Sequence, residues 1–417
     1  MPEIKPFCGL RFDPAVAGCL DAVITPPYDV ISPEQRDRLA ASSPLNMTHV
    51  ILPKPDTAGE SPYDHAAAVF GGWRASGALK QDPAPSHYLL RQTFNDLEGR
   101  LRVRRAFFAA VKLPEAGERC ILGHERTFDK PFEDRLSLTR ATRTSLGAVF
   151  LLYSDPAAAL EGFLNRMNDT PPDLAATTFE GVRQELWRVD PEPAVAPFLA
   201  DQTLYIADGH HRFRTACAYR DEMRAQTGAA PGTQPFDYAL AGFVAFEDPG
   251  LEVHATHRVV PECPLDAEGA RAALAPWFDL SGVSGDPATA LRRAGDGAFV
   301  MFARGAAPLL LKFTGDRAAL LGEDRGPAWR DLDVALLHRG VLERILGLPA
   351  DLACRFAQRP DEARAAVEEG GAALAFLVRA TPPAQIRACA EAGEPMPQKS
   401  TYFFPKLCTG AVMLPLG

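Results

Sequence analysis

One short segment combines residue types that suit anion binding. Residues 208–212 read DGHHR, directly after the strand pattern of residues 203–207 and at the start of a predicted helix over residues 212–226. The first N–H groups of a helix have no partner inside the helix, and the helix dipole adds partial positive charge at the same end. The segment therefore predicts an anion site of the kind that binds phosphate groups.

The side chains of this segment supply further donors. Arg212 and Arg214 carry guanidinium groups, which suit phosphate oxygens as forked donors. His210 and His211 add hydrogen-bond donors, or a proton, near neutral pH. Gly209 allows the backbone to come close to a ligand. A plain strand-to-helix connection with surface histidines is the alternative, which any one of these residues alone would favour but the whole run does not.

Asp208 lies at the mouth of this positive site. A carboxylate there raises the free-energy cost of binding phosphate, unless it holds a cation or takes a proton. Mg²⁺ is usually bound by one or two carboxylates together with phosphates. The sequence therefore predicts Asp208 as a magnesium ligand, with Mg²⁺ as the expected cofactor.

The elements that must position this segment are a mixture of strands and helices. Before residue 260, strands are predicted over residues 87–94, 101–111, 148–153, 203–207 and 238–246, and helices over residues 33–41, 62–79 and 212–226. The alternating Arg102 and Arg104 indicate a solvated face on the second of these strands. The mixture favours an α+β (mixed α/β) fold without internal repeats.

Strand and helix patterns continue to alternate beyond residue 260, where Pro261 and Pro264 mark a predicted break. Two domains are expected, residues 1–260 with the phosphate site and residues 261–417 as a C-terminal α/β domain. The helices of the second domain are expected near residues 266–276, 331–346 and 360–369, and its strands near residues 298–303, 308–313 and 373–378.

Composition excludes several classes of protein. The 417 residues carry a net charge of −9 and no basic tail, so a nucleic-acid partner is not expected. None of the eight cysteines forms a C-x-x-C pair, which argues against structural zinc. No apolar run reaches the roughly 18 residues of a membrane span, and the first residues lack a secretory pattern. A cytoplasmic protein with a small-molecule substrate is expected.

The phosphate segment resembles a known box. Residues 209–216, GHHRFRTA, are similar to the G-x-x-R-x-x-A box of the ParB/sulfiredoxin superfamily, which binds the phosphates of CTP or ATP. With Asp208 in front, the segment is similar to the Asp-Gly-His-x-Arg segment of the free-serine kinases in that superfamily. The resemblance implies a ParB/sulfiredoxin-like core, although the long insertion between its motifs departs from the compact ParB core.

The whole chain also resembles a bacterial domain-of-unknown-function family, number one thousand and fifteen. Six motifs occur in order, at residues 25–32, 124–127, 133–136, 205–216, 254–258 and 399–406. The last of these motifs lies near the C-terminus, so the tail of the second domain is expected to pack back on the phosphate site.

The resemblance implies roles for carboxylates outside the box. Free-serine kinases use an N-terminal acidic residue as the base that takes the hydroxyl proton. Asp29, beside Tyr28 on a proline-stiffened loop, is the candidate by position, and Glu34 competes with it. Glu125 ranks second as the base. A turn with a capping aspartate is as good an interpretation of the Asp29 loop from its residues alone.

Four cations are predicted to bind phosphate or substrate carboxylate: Lys130, Arg135, Arg258 and Lys406. A solvated charged loop is the alternative for the first two, and a surface lysine for the last. Tyr28 is a further predicted substrate-binding residue. The function that follows is a small-molecule kinase, with ATP, ADP or pyrophosphate as donor and free L-serine as the leading acceptor. The alternatives are a CTP- or ATP-binding switch without transfer and, more weakly, a phosphatase that uses a box histidine.

Overall fold

The computed structural model describes residues 1–55, 57, 59–127 and 129–417. These residues form two compact units. The first unit contains Met1–Gly123, Thr127–Leu251 and Pro405–Gly417, and the second contains His124–Arg126 and Glu252–Phe404. The expected domain limits, 1–260 and 261–417, stay a prediction, whereas the compact units divide at Leu251 and the last segment of the chain belongs to the first unit.

The first unit is built on a mixed sheet that has nine strands among the described residues. In spatial order, eight of them are Ile121–Leu122, Leu204–Asp208, Val149–Tyr153, Tyr238–Ala245, Leu101–Lys112, His87–Asn95, Arg183–Val189 and Leu174–Thr177. The ninth, Ile4–Lys5, pairs with Leu101–Lys112. The first two strands of this order pair in parallel, as do Val149–Tyr153 and Tyr238–Ala245, and the remaining neighbours are antiparallel. Two short pairs, Leu10–Phe12 with Leu79–Gln81 and Thr144–Ser145 with Leu414–Pro415, lie outside the sheet.

Helices accompany this sheet, and their starts follow from the sequence. Ser32 caps the helix Pro33–Ser42 by accepting from the N–H of Gln35 at 3.2 Å, which confirms the predicted N-cap with proline at the first helical position. The α-helices of the first unit are Pro14–Ala17, Pro33–Ser42, Thr48–Ile51, Pro62–Ala75, Asp129–Thr142, Glu161–Asn165, Val195–Ala200 and His210–Thr227. We call the last of these the box helix.

A buried apolar core holds the sheet to the helices. Phe107 and Phe243, on neighbouring strands, stack with ring centroids 4.9 Å apart. Phe213, Ala216 and Cys217 of the box helix pack against the same core. The strand that ends at Asp208 and the helix that begins at His210 are therefore fixed relative to each other, because both bury side chains in one cluster.

The second unit has its own antiparallel sheet and core. Its six strands among the described residues are, in spatial order, Phe278–Gly282, Leu309–Phe313, Ala298–Ala303, Leu374–Leu377, His257–Val260 and Arg355–Ala357. A separate pair joins Glu252–His254 to Tyr402–Phe404. Its helices are Ala267–Leu274, Pro287–Ala294, Arg317–Leu321, Pro327–Arg330, Asp333–Ala335, Pro360–Glu368 and Pro383–Ala392, with a π-helix over Leu336–Ile345.

The two sheets with their helices confirm the predicted α+β class. The ParB/sulfiredoxin-like core stays a prediction of the sequence resemblance. None of the described helices combines the length and the apolar character needed to cross a bilayer.

Candidate phosphate-binding site

The box helix begins where the sequence places the anion site. The strand Leu204–Asp208 is followed by Gly209, which has φ of +91° and ψ of 30°, and then by the helix. The first turn of the box helix therefore starts at His210, two residues earlier than predicted. The left-handed conformation of Gly209 turns the chain directly after the strand, so no loop separates the strand from the helix. A side chain at Gly209 would be strained, and its Cβ would lie 3.0 Å from Cζ of Arg212. The strand–glycine–helix order is confirmed.

Asp208 is held between two cations. Its Oδ1 accepts from Nζ of Lys406 at 2.5 Å, and its Oδ2 accepts from Nη2 of Arg212. All three side chains are largely buried, with 13%, 6% and 12% of the side chain exposed for Asp208, Lys406 and Arg212. Burial acts to raise the pKa of Asp208, but the charges of Lys406 and Arg212 outweigh it and hold this pKa well below its usual range. The carboxylate is therefore ionised at neutral pH.

The C-terminal segment brings Lys406 to this place. The carbonyl oxygen of Lys406 accepts from Nε2 of Gln92 at 2.9 Å, and that of Pro405 accepts from Arg104. Arg104 is fully buried and its Nε also donates to Oε1 of Gln92, at 2.9 Å. The predicted solvated face is therefore wrong at Arg104, because the returning segment covers this position. Gly242 makes room for it, since a Cβ there would lie 2.4 Å from Cδ1 of Leu407.

The predicted magnesium role of Asp208 does not fit this arrangement. Each of its two carboxylate oxygens already faces a cationic nitrogen, so a metal ion would meet a carboxylate whose charge is already balanced and two cations that repel it. Within the described ranges, no group of three or more His, Cys, Asp or Glu side chains is placed to hold a metal ion. The charge of Asp208, which the sequence assigned to Mg²⁺, is balanced by the protein's own cations.

The two histidines of the box differ in exposure. His210 is buried, and burial lowers its pKa to about 4, with the neighbouring positive charges of His211, Lys406 and Arg212 acting in the same direction and Asp208 against it. Gly123 lies against its ring, because a Cβ there would be 2.9 Å from Cδ2 of His210. At pH 7 His210 is therefore a neutral hydrogen-bonding group, and His211 is half-buried.

Arg214 points to a different neighbour from Arg212. Its Nη2 donates to Asp129 at 2.8 Å, its Nη1 donates to Oγ1 of Thr127 at 3.2 Å, and its guanidinium lies 4.1 Å from the ring centroid of Phe132. Two residues along a helix turn by about 200°, so Arg212 and Arg214 leave the box helix on opposite sides. The structure brings Arg212, but not Arg214, to Asp208.

The proline-stiffened loop approaches Arg212 from the N-terminal part of the chain. Tyr28 and Asp29 begin a 3₁₀ turn after Pro27, and Asp29 is exposed. Burial acts to lower the pKa of Arg212, but the negative charges of Asp208 and Asp29 outweigh it and raise this pKa. Burial, with help from Asp29, raises the pKa of Tyr28 to about 12. The Tyr28 phenol therefore keeps its proton at neutral pH.

The helix Asp129–Thr142 adds a second arginine. The guanidinium of Arg135 lies 4.2 Å from the ring centroid of Tyr28, and its Nη1 donates to the carbonyl of Ile51 at 2.8 Å. Lys130 is exposed on the first turn of the same helix. Glu34 is exposed on the helix Pro33–Ser42 and accepts from Oγ of Ser32 at 2.7 Å, as a residue of a helix start does.

Two predicted residues lie in the second unit. Oγ1 of Thr401 donates to Oε1 of Glu125 at 3.5 Å. Arg258 is fully buried, where Nε donates to Nε2 of His338 at 2.8 Å and Nη2 to the carbonyl of Gln398 at 3.0 Å. Burial lowers the pKa of Arg258 to about 10. Three of its nitrogens, including Nη1 on the carbonyl of Thr256, already donate to groups of the same unit.

A cavity in the first unit joins several of the predicted residues. Its enclosed volume is about 70 Å³, and Tyr28, Arg135 and Arg212 all contribute to its wall. The side chains of one loop and two helices thus meet at one concave place, which is what a small-molecule site requires.

Comparison with known proteins identifies the family. The family model described as "Protein of unknown function (DUF1015)" matches residues 4–335. The chain belongs to DUF1015. A search of curated proteins gives no match.

Solved structures resemble this DUF1015 protein only weakly. A conserved hypothetical protein from Pyrococcus furiosus has a TM-score of 0.35 and 12% identity, over 72% of this chain and 92% of its own. A free serine kinase in complex with AMP has a TM-score of 0.35 and 12% identity, over 71% and 86%. SbnI with a C-terminal truncation, from Staphylococcus aureus, has a TM-score of 0.35 and 10% identity, over 72% and 84%. Likeness at this level establishes neither a shared fold nor a shared function.

Sequence reasoning missed two features of this candidate site. One is the pairing of Lys406 with Asp208, two residues separated by most of a domain in sequence. The other is the cavity wall formed by the box helix, where Thr215, Ala216 and Tyr219 follow Arg212 on one face. These three residues follow Arg212 by three, four and seven positions, which is the spacing of one helical face and could have been recognised in the sequence. The apolar residues that complete the cavity wall come from segments distant in sequence and could not.

Proposed function

We propose that this DUF1015 protein is a phosphotransferase. It moves a phosphoryl group from a nucleotide or pyrophosphate to a hydroxyl group of a small molecule. Free L-serine is the first acceptor to test, because residues 208–216 resemble the box of the free-serine kinases. The observation that carries the proposal is the buried Asp208, held by Arg212 and Lys406 at the positively polarised start of the box helix, beside a cavity that Tyr28 and Arg212 line.

The pairing with Asp208 suits a site that exchanges one anion for another. Without a ligand, the carboxylate of Asp208 balances one of the two positive charges of Arg212 and Lys406, so the two buried cations can lie close together while one positive charge remains for an anion. On binding, oxygens of the donor phosphate take up donors from Arg212, Lys406 and the first N–H groups of the box helix. Phosphoryl transfer asks the protein mainly for such positioning and charge neutralisation.

The transfer step is a displacement at the terminal phosphorus of the donor. The acceptor hydroxyl oxygen forms the new P–O bond, and the bond from phosphorus to the leaving phosphate oxygen breaks and leaves its electron pair there. The hydroxyl proton passes to a carboxylate. Asp29, which lies close enough to Arg212 to raise its pKa, is the first candidate for this base. Glu125 stays the second candidate from the sequence resemblance alone.

The test is direct. The purified full chain is incubated with L-serine and, separately, with ATP, ADP or pyrophosphate, and phosphoserine is measured by mass spectrometry and ³¹P NMR. We expect phosphoserine with at least one donor, and a loss of rate of about 100-fold or more in Arg212→Met, since a charge-stabilising donor is removed. Lack of phosphoserine with every donor excludes serine as the acceptor.

The matched control is Arg224→Met on the same helix. Arg224 is similarly buried and paired with carboxylates, Glu115 and Asp237, but it lies more than three turns from Arg212. Its loss is expected to lower stability without changing the transfer rate. If both variants lose activity to the same extent, the effect of Arg212→Met is one of stability. If nucleotide binds tightly but no phosphoryl group moves to any hydroxyl compound, the protein is a nucleotide-dependent switch instead.

A further inference from the structure

The six-stranded sheet of the second unit ends at the strand Phe278–Gly282. This strand pairs with Leu309–Phe313 on one side, and no strand among the described residues pairs with its other side. An unpaired sheet edge presents a row of backbone N–H and C=O groups, which can form hydrogen bonds with a further strand. The edge is therefore a place where an extended segment can be added to the sheet.

The backbone groups of every second residue face this free edge. In an antiparallel pair, consecutive residues alternately form hydrogen bonds with the neighbouring strand and turn away from it. Trp277 and Val283 flank the edge strand, and both form backbone hydrogen bonds, of 3.0 and 3.1 Å, with residues that flank the neighbouring strand. Phe278, Leu280 and Gly282 alternate with them, so these three residues direct their N–H and C=O groups toward the free edge.

The helix Ala267–Leu274 precedes the edge strand and forms a groove with it. The groove has a volume of about 370 Å³ and is open to solvent. Its helix side presents residues at spacings of three, four and seven, which is one helical face. These residues are Glu268, Arg271, Ala272 and Ala275, all exposed, and the strand side includes Asp279 and Leu280. Because the two alanines are small, the helix leaves room for a peptide backbone at the usual strand spacing of about 4.8 Å from the edge.

The charged groups of this groove are available to a partner. Within the part of the chain that the structure describes, no ion pair joins Glu268, Arg271 or Asp279 to another residue. Lys312 lies opposite Asp279 in the sheet register, but its ammonium donates to two backbone carbonyls, at 2.8 and 2.6 Å. Two carboxylates and one guanidinium leave the groove with an excess of negative charge, which a basic side chain complements.

We propose that this groove binds an extended peptide segment of a partner protein as a further strand of the sheet. Successive side chains of a strand point to opposite faces. The segment therefore carries apolar side chains on the face of Phe278 and Leu280, and lysine or arginine on the face of Asp279, where opposite charges on neighbouring strands attract. The site lies in the second unit alone and does not depend on the proposed phosphate site.

Selection from a peptide library tests the proposal. Random twelve-residue peptides displayed on phage are selected on the immobilised full chain, and enriched peptides are made with a fluorescein label for polarisation measurements. We expect enriched sequences in which apolar residues alternate with polar ones that include lysine or arginine. A selection that enriches no binding peptide would overturn the proposal.

Two variants locate the bound peptide. Leu280→Pro removes an N–H that faces the free edge and leaves the hydrogen bonds to the neighbouring strand in place, as proline in an edge strand allows. Ala272→Trp fills the groove from the helix side. Each is expected to weaken the peptide at least tenfold, whereas Ala384→Trp, at an exposed position of the helix Pro383–Ala392, should leave its affinity unchanged. Unchanged affinity in folded Leu280→Pro and Ala272→Trp would overturn the proposal.

A charge reversal tests the chemistry of the partner. Asp279→Lys should weaken a basic peptide at least tenfold, and Glu369→Lys, an exposed carboxylate outside the groove, should not. Equal losses in the two variants would indicate attraction by the overall charge and contradict the groove assignment. Sedimentation of the full chain provides the last test. Self-association that Leu280→Pro abolishes would assign the edge to a second copy of the chain and overturn the proposal.

Discussion

Replacing Asp208 by asparagine tests the reasoning about the phosphate site most directly. The substitution keeps the shape of the side chain but removes the negative charge that Arg212 and Lys406 share. Both cations are about nine-tenths buried, so they would face an amide instead of a carboxylate in a place that water reaches poorly. We therefore expect two opposite effects, a loss of stability in the absence of ligand and a stronger response to a phosphate ligand.

The size of the loss follows from the burial of the pair. Removing one partner of a buried ion pair costs about 3–5 kcal/mol, since the remaining charge stays buried. With the amide still accepting one hydrogen bond, we expect the lower limit, about 3 kcal/mol. For a domain of roughly 150–250 residues this corresponds to a decrease in Tm of about 6–12 °C.

The assay is thermal unfolding followed by fluorescence, with and without pyrophosphate. At a concentration one hundred times its Kd, a ligand of the folded state stabilises by about 2.7 kcal/mol. Pyrophosphate should raise the Tm of Asp208→Asn by more than that of the unmodified chain, because no carboxylate competes with it for Arg212 and Lys406. The matched control is Asp82→Asn, which removes a similarly buried carboxylate from Arg11 with bonds of 2.8 Å.

The control variant should lose stability but gain nothing from pyrophosphate. If pyrophosphate stabilises both variants equally, or neither of them, the two cations near Asp208 do not bind phosphate and the reasoning is refuted.

The acid sensitivity of folding gives a second test of the same substitution. The pKa of Asp208 is depressed on folding, so its contribution is present above the unfolded value of about 4 and is lost as pH falls below it. Below pH 4, Asp208→Asn should therefore lose stability less steeply than the unmodified chain.

Three further predictions concern neighbours of this site. Arg212→Met should weaken pyrophosphate binding in titration calorimetry at least tenfold more than Arg214→Met, whose arginine contacts Asp129; equal effects would contradict the assignment. Gly209→Ala should cost about 1–2 kcal/mol in denaturant unfolding, because an L-residue is strained at φ of +91°, and an unchanged midpoint would show that the turn relaxes. Between pH 6.5 and pH 4 the unfolded chain binds a proton at His210 that the folded chain does not bind, because burial lowers the pKa of this ring to about 4. His210→Gln should therefore reduce the loss of folding stability over this pH range by up to about 3 kcal/mol. The same pH profile in the variant and the unmodified chain would mean that His210 is not buried.

Local sequence signals predicted the parts of the site that depend on local structure. An apolar strand, a glycine and a helix pattern place the turn at Gly209, and the helical repeat of 3.6 residues separates Arg212 from Arg214 once the helix start is known. The start itself was predicted two residues too late, because a left-handed glycine can end one element and begin the next without a loop.

Long-range contacts explain why Arg104 is buried and why Asp208 has a counter-charge that the sequence did not indicate. Arg104 alternates with Arg102 on a strand and suggests a solvated face, yet it is buried under Pro405, three hundred residues later in the chain. Asp208 suggests a magnesium ligand because a lone carboxylate at a positive site requires a counter-charge. Lys406 supplies that charge from the same returning segment.

By itself, the sequence determined the class of fold and the position of the strand–glycine–helix turn, because these depend on periodicity and on backbone preferences over a few residues. Only the tertiary structure decided which cations face Asp208 and that an apolar cavity continues from Arg212 along the box helix. The physical reason is that charge pairing and burial depend on distance in space, and the residues concerned come from the loop near Tyr28, two helices and the last segment of the chain.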